Sequence, residues 1–325
     1  MKKPGYSCRM IPEPALFLAA HGWQDAEVTP FPADWSTRSY ARLRRAGGRP
    51  ERAILMHTTP DADFHSFIRI AAMLRGLEAS APLIYEIDAE RGMMLLEDFG
   101  DRNFGRLIDN GADQESLLCR AATTLAELHT RYIAQPRDAT TLRRYDSSAF
   151  IELLHPLLHN FTYTDHAAAQ TAFHEAWSCL RTPLEAQPQS LMLRDFMADN
   201  LMDLPERHGW KSVGILDFEL TGIGPAAYDL ASLTEQVRRD IPDAVRTRVI
   251  QQYLGMRPDI APEPFHTALR IMAAHRHLRI FARLQKLPKP FFLRRTHDYL
   301  RTLFTHPDLH PVQKWCQTYL PQHFA

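Results

Sequence analysis

Lysine is scarce in this 325-residue chain. It occurs at Lys2, Lys3, Lys211, Lys286, Lys289 and Lys314, and from residue 4 to residue 210 there is none. Arginine therefore carries the positive charge of that stretch, and its planar fork grips carboxylates and phosphates in a bidentate way that lysine cannot. Cysteine is also sparse. Cys8, Cys119, Cys179 and Cys316 stand at no metal or redox spacing, which excludes a disulfide scaffold and reads as ordinary thiols of a reducing compartment, the cytoplasm. No apolar run reaches membrane-spanning length. The N-terminal MKKPGYSCRMIPEPALFLAAHG begins basic, but Pro12 and Pro14 break its short apolar part, so it reads as soluble rather than as a signal peptide. The formal net charge is +0 and the pI about 7.3, which leaves no basic field for nucleic acid and no net attraction to an anionic membrane. Histidine is plentiful, yet the pairs His155/His159 and His275/His277 have no carboxylate at metalloprotease spacing, and no metal role is expected of them.

What is present is apolar residue in quantity, 45% of the chain, enough for a large core and two lobes. The first hundred residues read as strand-rich. A short helix over 14–21 precedes a strand over 26–32. A hairpin then runs 35–45 and 52–57 around Gly47-Gly48, and strands follow over 83–87 and 93–96. Within them, 64–77 places Phe67, Ile70, Ala71, Leu74 and Leu77 on one helical face. From residue 114 helices dominate. Gln114–Tyr132 buries Leu117, Leu118, Ala121, Leu125 and Leu128 behind an Asp113 N-cap, and further helices are expected over 148–161, 168–182, 226–238, 242–254, 263–285 and 291–304. The expected layout is α+β in two lobes, residues 1–100 and 101–325, with a ligand in the cleft between them.

Residues 191–230 concentrate the chemistry. The apolar runs Leu191–Leu193 and Val213–Leu216 read as paired strands around a turn at 205–209, and an Asp-Phe pair follows each. Asp195 is followed five residues later by Asn200, and the second run ends at Asp217. Kinase-type phosphoryl transfer needs one carboxylate to receive the proton of the attacking hydroxyl. It also needs an Asn and a second Asp to hold magnesium on the nucleotide phosphates. Asp195 fits the first role, Asn200 and Asp217 the second. The alternative is that all three serve as turn formers.

These residues, with Gly222-Ile223-Gly224-Pro225 and Tyr228-Asp229-Leu230-Ala231, resemble the aminoglycoside phosphotransferase/choline kinase family, which has a bilobal protein-kinase-like fold. The segments 36–43, 95–101 and 277–284 resemble one branch of it, the bacterial anomeric kinases of N-acetylmuramate and N-acetylglucosamine in cell-wall recycling. The resemblance implies an ATP- and Mg2+-dependent kinase of a small hydroxyl-bearing molecule, most simply an amino sugar. Other acceptors (choline, an amino alcohol, an aminoglycoside) and a regulatory nucleotide-binding pseudokinase are the rival readings. It implies Asp195 as the base, Asn200 and Asp217 as metal ligands, and Arg194 and Asp229 as supports of the catalytic loop. Leu96, Glu97, Asp98 and Phe99 become the hinge that reads adenine.

The chain departs from the kinase pattern in four places. Met197 stands where related sugar kinases carry a polar His. The strand over 52–57 has no Lys and the next helix no Glu, so phosphate charge falls to arginine, with Arg38 and Arg42 as candidates. No glycine lies between Ala26 and Ala46, so phosphate contacts are expected from Ser36 and Thr37. Glu219 replaces the Gly after Asp217-Phe218 and is a candidate substrate contact, as are Tyr145 and Glu152. The tract His275–Arg279 reads either as an anion site, for instance for a lactyl carboxylate, or as the polar face of a long helix.

Overall fold

The structure, a computed structural model, describes residues 12–32, 38–137, 140–287 and 290–324. The chain divides into two compact units, one of Met1–Gly76 with Ser80–Asp101 and one of Leu77–Ala79 with Arg102–Ala325.

The first unit contains α1 (Pro12–Ala20), β1 (Glu27–Pro30), β2 (Ser39–Arg44), β3 (Arg52–His57), α2 (Ala62–Gly76), β4 (Ile84–Asp88) and β5 (Met93–Leu96). Its strands form one antiparallel sheet in the order β1-β2-β3-β5-β4. Alternate residues Leu43, Ala53, Leu55, Met93 and Leu95 face Phe17, Leu18 and Trp23, and each Leu, Met or Phe so buried stabilises the unit by about 1.5–3 kcal/mol. β5 is buried on both faces, which is why its MMLL sequence shows no alternation. The turn before β5 needs Gly92, whose φ is 65 and where a Cβ would stand 1.9 Å from Thr58 O.

The second unit is mostly helical. Its chain order is α3 (Phe104–Asp109), α4 (Gln114–Ala134), β6 (Arg143–Arg144), α5 (Ser147–Leu153), α6 (His155–His159), α7 (His166–Ser178), α8 (Arg181–Glu185), β7 (Gln189–Met192), β8 (Leu201–Asp203), β9 (Val213–Ile215) and β10 (Gly222–Pro225). There follow α9 (Ala227–Thr234), α10 (Asp243–Gly255), α11 (Pro262–Leu284), α12 (Pro290–Leu303), α13 (His310–Tyr319) and α14 (Pro321–Phe324). Asp113, Asp146 and Asp165 cap α4, α5 and α7 by accepting from Ser116, Ala149 and Ala168 N–H, a device that contributes about 1 kcal/mol per helix. α11 runs through the core, with Ile271, Met272, Ala274, His275, His277, Leu278 and Phe281 shielded from solvent.

Two expectations about this unit need correcting. The apolar runs 191–193 and 213–216 do not pair with each other. β7 pairs antiparallel with β10, and β9 with β8. The true partners are three or four residues long, and β10 reads GIGP, which as sequence looks like a turn. The expected helix over 148–161 is broken at Leu154, because Pro156 can only begin a new helix, α6.

Candidate active site

Beyond β7 the chain passes through Leu193 and Arg194 before reaching Asp195. Arg194 has φ 74, a left-handed conformation that strains a non-glycine residue. Asp229, in the first turn of α9, holds it there. Its Oδ2 accepts from Leu193 N–H at 2.6 Å and its Oδ1 from Arg194 N–H at 2.8 Å. One turn on, Ser232 donates to Arg194 O at 3.3 Å. Burial pushes the Asp229 carboxyl up to about 7, against the pull of the two amides. The Arg194 guanidinium lies 5.3 Å from the Tyr145 ring and donates to its hydroxyl at 3.4 Å.

The loop so held leaves Asp195 partly open, its side chain 29% exposed. Arg276 Nη1 lies 3.4 Å and Arg279 Nη2 3.8 Å from its Oδ1, both from α11. Desolvation works to raise the Asp195 pKa, but Arg279, Arg276 and Arg194 prevail and hold it below the usual carboxylate range. Phe196, 1% exposed, anchors the next position in the core.

A 3-10 turn over Ala198–Asn200 returns the chain to β8. Asn200 Nδ2 donates to Asp195 O at 2.8 Å and to Asp217 Oδ2 at 3.2 Å. One side chain thus ties the Asp195 loop to the second acid. Asp217 has φ 58 and is exposed, while Phe218 beside it is fully buried. Thr221 closes this turn by donating its hydroxyl to Phe218 O at 2.6 Å. Among the described residues, three non-glycine residues have positive φ, and two of them, Arg194 and Asp217, are here. The third is Glu78.

The loop is braced from other elements as well. Arg239 bridges Asp199, at 2.6 and 3.0 Å, to Asp109 at 2.8 Å. Gly105 lets this guanidinium pass, since a Cβ there would lie 2.6 Å from its Nη2. Asn103 Nδ2 donates to Asp199 O at 2.6 Å. None of these partners was legible in the sequence, because each lies 40 or more residues from the loop with no local pattern to mark it.

The structure therefore brings Arg194, Asp195, Asn200, Asp217 and Asp229 together. Three expectations are corrected, for Tyr145, Arg42 and the tract 275–279. Tyr145 is 1% exposed, and its hydroxyl donates to Leu220 O at 2.8 Å, so it walls the loop and offers nothing to a substrate. Arg42 is not an open phosphate ligand. Its guanidinium is 2.7 Å from Asp101, 2.8 and 3.0 Å from Asp98, and donates to Gly100 O at 2.9 Å. The Asp98 carboxylate is likewise turned inward, 2% exposed, while the Glu97 carboxylate, 22% exposed, accepts from Leu83 N–H at 3.1 Å. Asp98 is also bonded to Gly100 N–H, and Glu97 N–H donates to Leu83 O at 2.8 Å, so that amide is taken from any base edge. The tract 275–279 is not a solvated face, since His275, Arg276 and His277 are all buried.

Leu96 ends β5, buried, and Phe99 is half-buried, as is Arg38 just before β2. Glu152 is exposed on α5, and Glu219 is half-buried beside Phe218. Ser36 and Thr37 lie outside the described residues. The described residues hold no cluster of three or more His, Cys, Asp or Glu able to bind a metal by themselves, and no helix long and apolar enough to cross a membrane.

An α+β chain with this loop, an acid held beside an Asn–Asp pair, has the construction of a small-molecule phosphotransferase. The sequence matches the phosphotransferase enzyme family over residues 27–266, and the chain belongs to that family. It transfers phosphoryl groups to a hydroxyl-bearing small molecule. It is 29% identical to an N-acetylmuramate/N-acetylglucosamine kinase of Caulobacter vibrioides, over 94% of this chain and 96% of that protein. It is 27% identical to the enzyme of the same name from Pseudomonas putida, over 81% of this chain and 79% of that one. Among solved structures, a choline/ethanolamine kinase family protein from Mesorhizobium loti superposes with a TM-score of 0.61 at 17% identity, over 95% of this chain and 96% of its own. That likeness carries the fold, the protein-kinase-like one.

Proposed function

We propose that this protein is an ATP-dependent kinase of N-acetylated amino sugars that phosphorylates the anomeric hydroxyl, serving the recycling of cell-wall sugars in the cytoplasm. The observation that carries the reading is the likeness, near full-length in one case and over about four fifths in the other, to two kinases named for N-acetylmuramate and N-acetylglucosamine. The geometry of the loop supports it. Asp195 receives the proton of the sugar hydroxyl as its oxygen attacks the γ-phosphorus. The bond from that phosphorus to the β-phosphate breaks, and ADP departs. An anomeric hydroxyl is more acidic than an ordinary alcohol, so a carboxylate with a low pKa suffices as its acceptor.

A magnesium ion fits the residues present. Asn200 directs its NH2 at Asp195 O and Asp217, which leaves the amide oxygen as the ligand atom beside the Asp217 carboxylate. One carboxylate and one amide oxygen, completed by phosphate oxygens and water, is the usual magnesium donor set. Bound there, the ion would neutralise charge on the phosphates. Arg276 and Arg279 beside Asp195 also weigh against choline or an aminoglycoside, because a cationic acceptor calls for acidic neighbours.

The test is a panel of acceptors with ATP and magnesium, with product NMR to locate the new phosphate. Phosphorylation of N-acetylmuramate or N-acetylglucosamine at the anomeric oxygen is expected, and Asp195→Ala should lower kcat by about 10²–10⁴-fold. Turnover of choline or an aminoglycoside with none of these sugars, or undiminished turnover by Asp195→Ala, would overturn the reading.

A further inference from the structure

We propose that Arg276 is a positioning residue for Asp195: it brings from α11 the polar contact that Met197, inside the catalytic loop, cannot make, and Arg279 is its more exposed second. The inference rests on the assignment of Asp195 as the base. Arg276 Nη1 is 3.4 Å from Asp195 Oδ1, and its Nη2 is 3.6 Å from Met197 Sδ. Arg279 approaches the same Oδ1 at 3.8 Å. Two cations on one carboxylate oxygen fix the plane of the carboxylate. Among the described residues they leave Oδ2 as the oxygen to meet the hydroxyl.

The burial of Arg276 is hard to explain by stability. Its side chain is 5% exposed, its Nε has no hydrogen-bond partner, and its closest carboxylate contact is long. An apolar side chain of similar volume would serve the core as well or better. Nor can α11 roll to carry the guanidinium towards water, because the side chains on either side of it along the helix are locked. His275 Nε2 is 2.9 Å from Phe150 O, with the Trp177 and Tyr228 rings at its edges. His277 stacks on Tyr299 at 4.6 Å. The fold thus holds a poorly paired cation against the base and against Met197, whose thioether offers it only a weak acceptor.

The test compares wild type, Arg276→Met, Arg276→Lys, Arg276→Gln and Arg276→Met combined with Met197→His. Each is assayed with ATP and both N-acetylmuramate and N-acetylglucosamine, and each is melted. Arg276→Met should keep or raise the Tm and hold KM for ATP within about 3-fold, while kcat falls by about 100-fold, the size expected when a catalytic group shifts by about an ångström. Arg276→Lys should recover part of kcat, and adding Met197→His should recover about 10-fold, the His standing in as a polar contact. Wild-type kcat in Arg276→Met overturns the proposal, as does a loss that tracks a falling Tm. If Arg276→Met does not fold, the Lys and Gln variants decide, and a Lys variant no more active than Gln overturns it. A wild-type protein inert toward both sugars overturns the function reading and this inference with it. An active wild type with unchanged variants overturns this inference alone.

Discussion

Two buried arginines, one in each unit, are treated in opposite ways. Arg42, 11% exposed on β2, meets Asp98 with its Nε at 2.8 Å, an ion pair too bent for a hydrogen bond. It also hydrogen-bonds Asp98, Asp101 and Gly100 O, and packs 5.4 Å from the Phe31 ring. Arg276, half as exposed, has one long hydrogen bond to Asp195 and a sulfur contact. The first is paired with two carboxylates and a carbonyl, as a cation taken from water must be if it is to stabilise a fold, although its Nε, like that of Arg276, makes no hydrogen bond. The second is undersaturated, and that is what an electrostatic group needs if it is to act on a carboxylate that changes protonation during a reaction.

The comparison breaks most easily at Arg42. Asp98 is 2% exposed and has Arg42 as its near partner, so Arg42→Met leaves a buried carboxylate with only the Gly100 amide and the more exposed Arg52 at 3.9 Å, and should cost about 3 kcal/mol. Urea unfolding and the thermal midpoint would read it as a large loss. The same substitution at Arg276 is expected to leave stability untouched. Equal losses at the two positions would show that both arginines are structural, and the contrast would fall.

How far the sequence carries this contrast depends on range. Strands, helices and caps depend on neighbours within a few residues, so the first sheet, α4 with its Asp113 cap and the trio Asp195, Asn200 and Asp217 could be read locally. Arg42 and Asp98 are 56 residues apart, and Arg276 and Asp195 are 81 apart. At such separations sequence offers charge without direction. That is why Arg42 was expected to face a phosphate and why 275–279 allowed a solvated face. Pairing of very short strands such as β8 and β10 fails for the same reason, since three or four residues, one strand rich in Gly and Pro, carry too little pattern to name a partner.

A second contrast sets Asp98, held by an arginine, against Asp229, held only by two amides. Asp229→Asn keeps one acceptor for two N–H donors, so one donor is left facing an NH2 group. That loss, about 1–3 kcal/mol, is partly offset because a buried charge disappears. A modest drop in Tm is expected, with a larger proportional fall in kcat, since the freed amide belongs to the strained Leu193–Arg194 turn that aims Asp195. A variant with lowered Tm and full kcat would mean that the turn keeps its shape without the carboxylate.

The smallest expected effect separates the units by pH. The second unit buries His129, His275 and His277 completely, while the described histidines of the first, His21, His57 and His65, are all at least partly exposed. Burial holds His129 and His275 down to about 3, and lowers His277 despite Glu235 nearby. In the unfolded chain each titrates near 6.5, so between about pH 6.5 and 3 the unfolded state binds more protons at His129 and His275, and below pH 6.5 it does so at His277 as well. The stability these groups contribute is complete above pH 6.5 and is lost on acidification, by about 1 kcal/mol each for His129 and His275 at pH 5.5, with His277 adding in the same direction. Asp229 works the other way. Its folded value of about 7 lies above that of an unfolded Asp, so it adds stability as pH falls, one group against three. Amide exchange in the second unit should therefore quicken from pH 7 to pH 5.5 relative to the first, and His275→Gln should flatten the change. Equal acid sensitivity in both units would place the protons elsewhere than in the helix that carries Arg276.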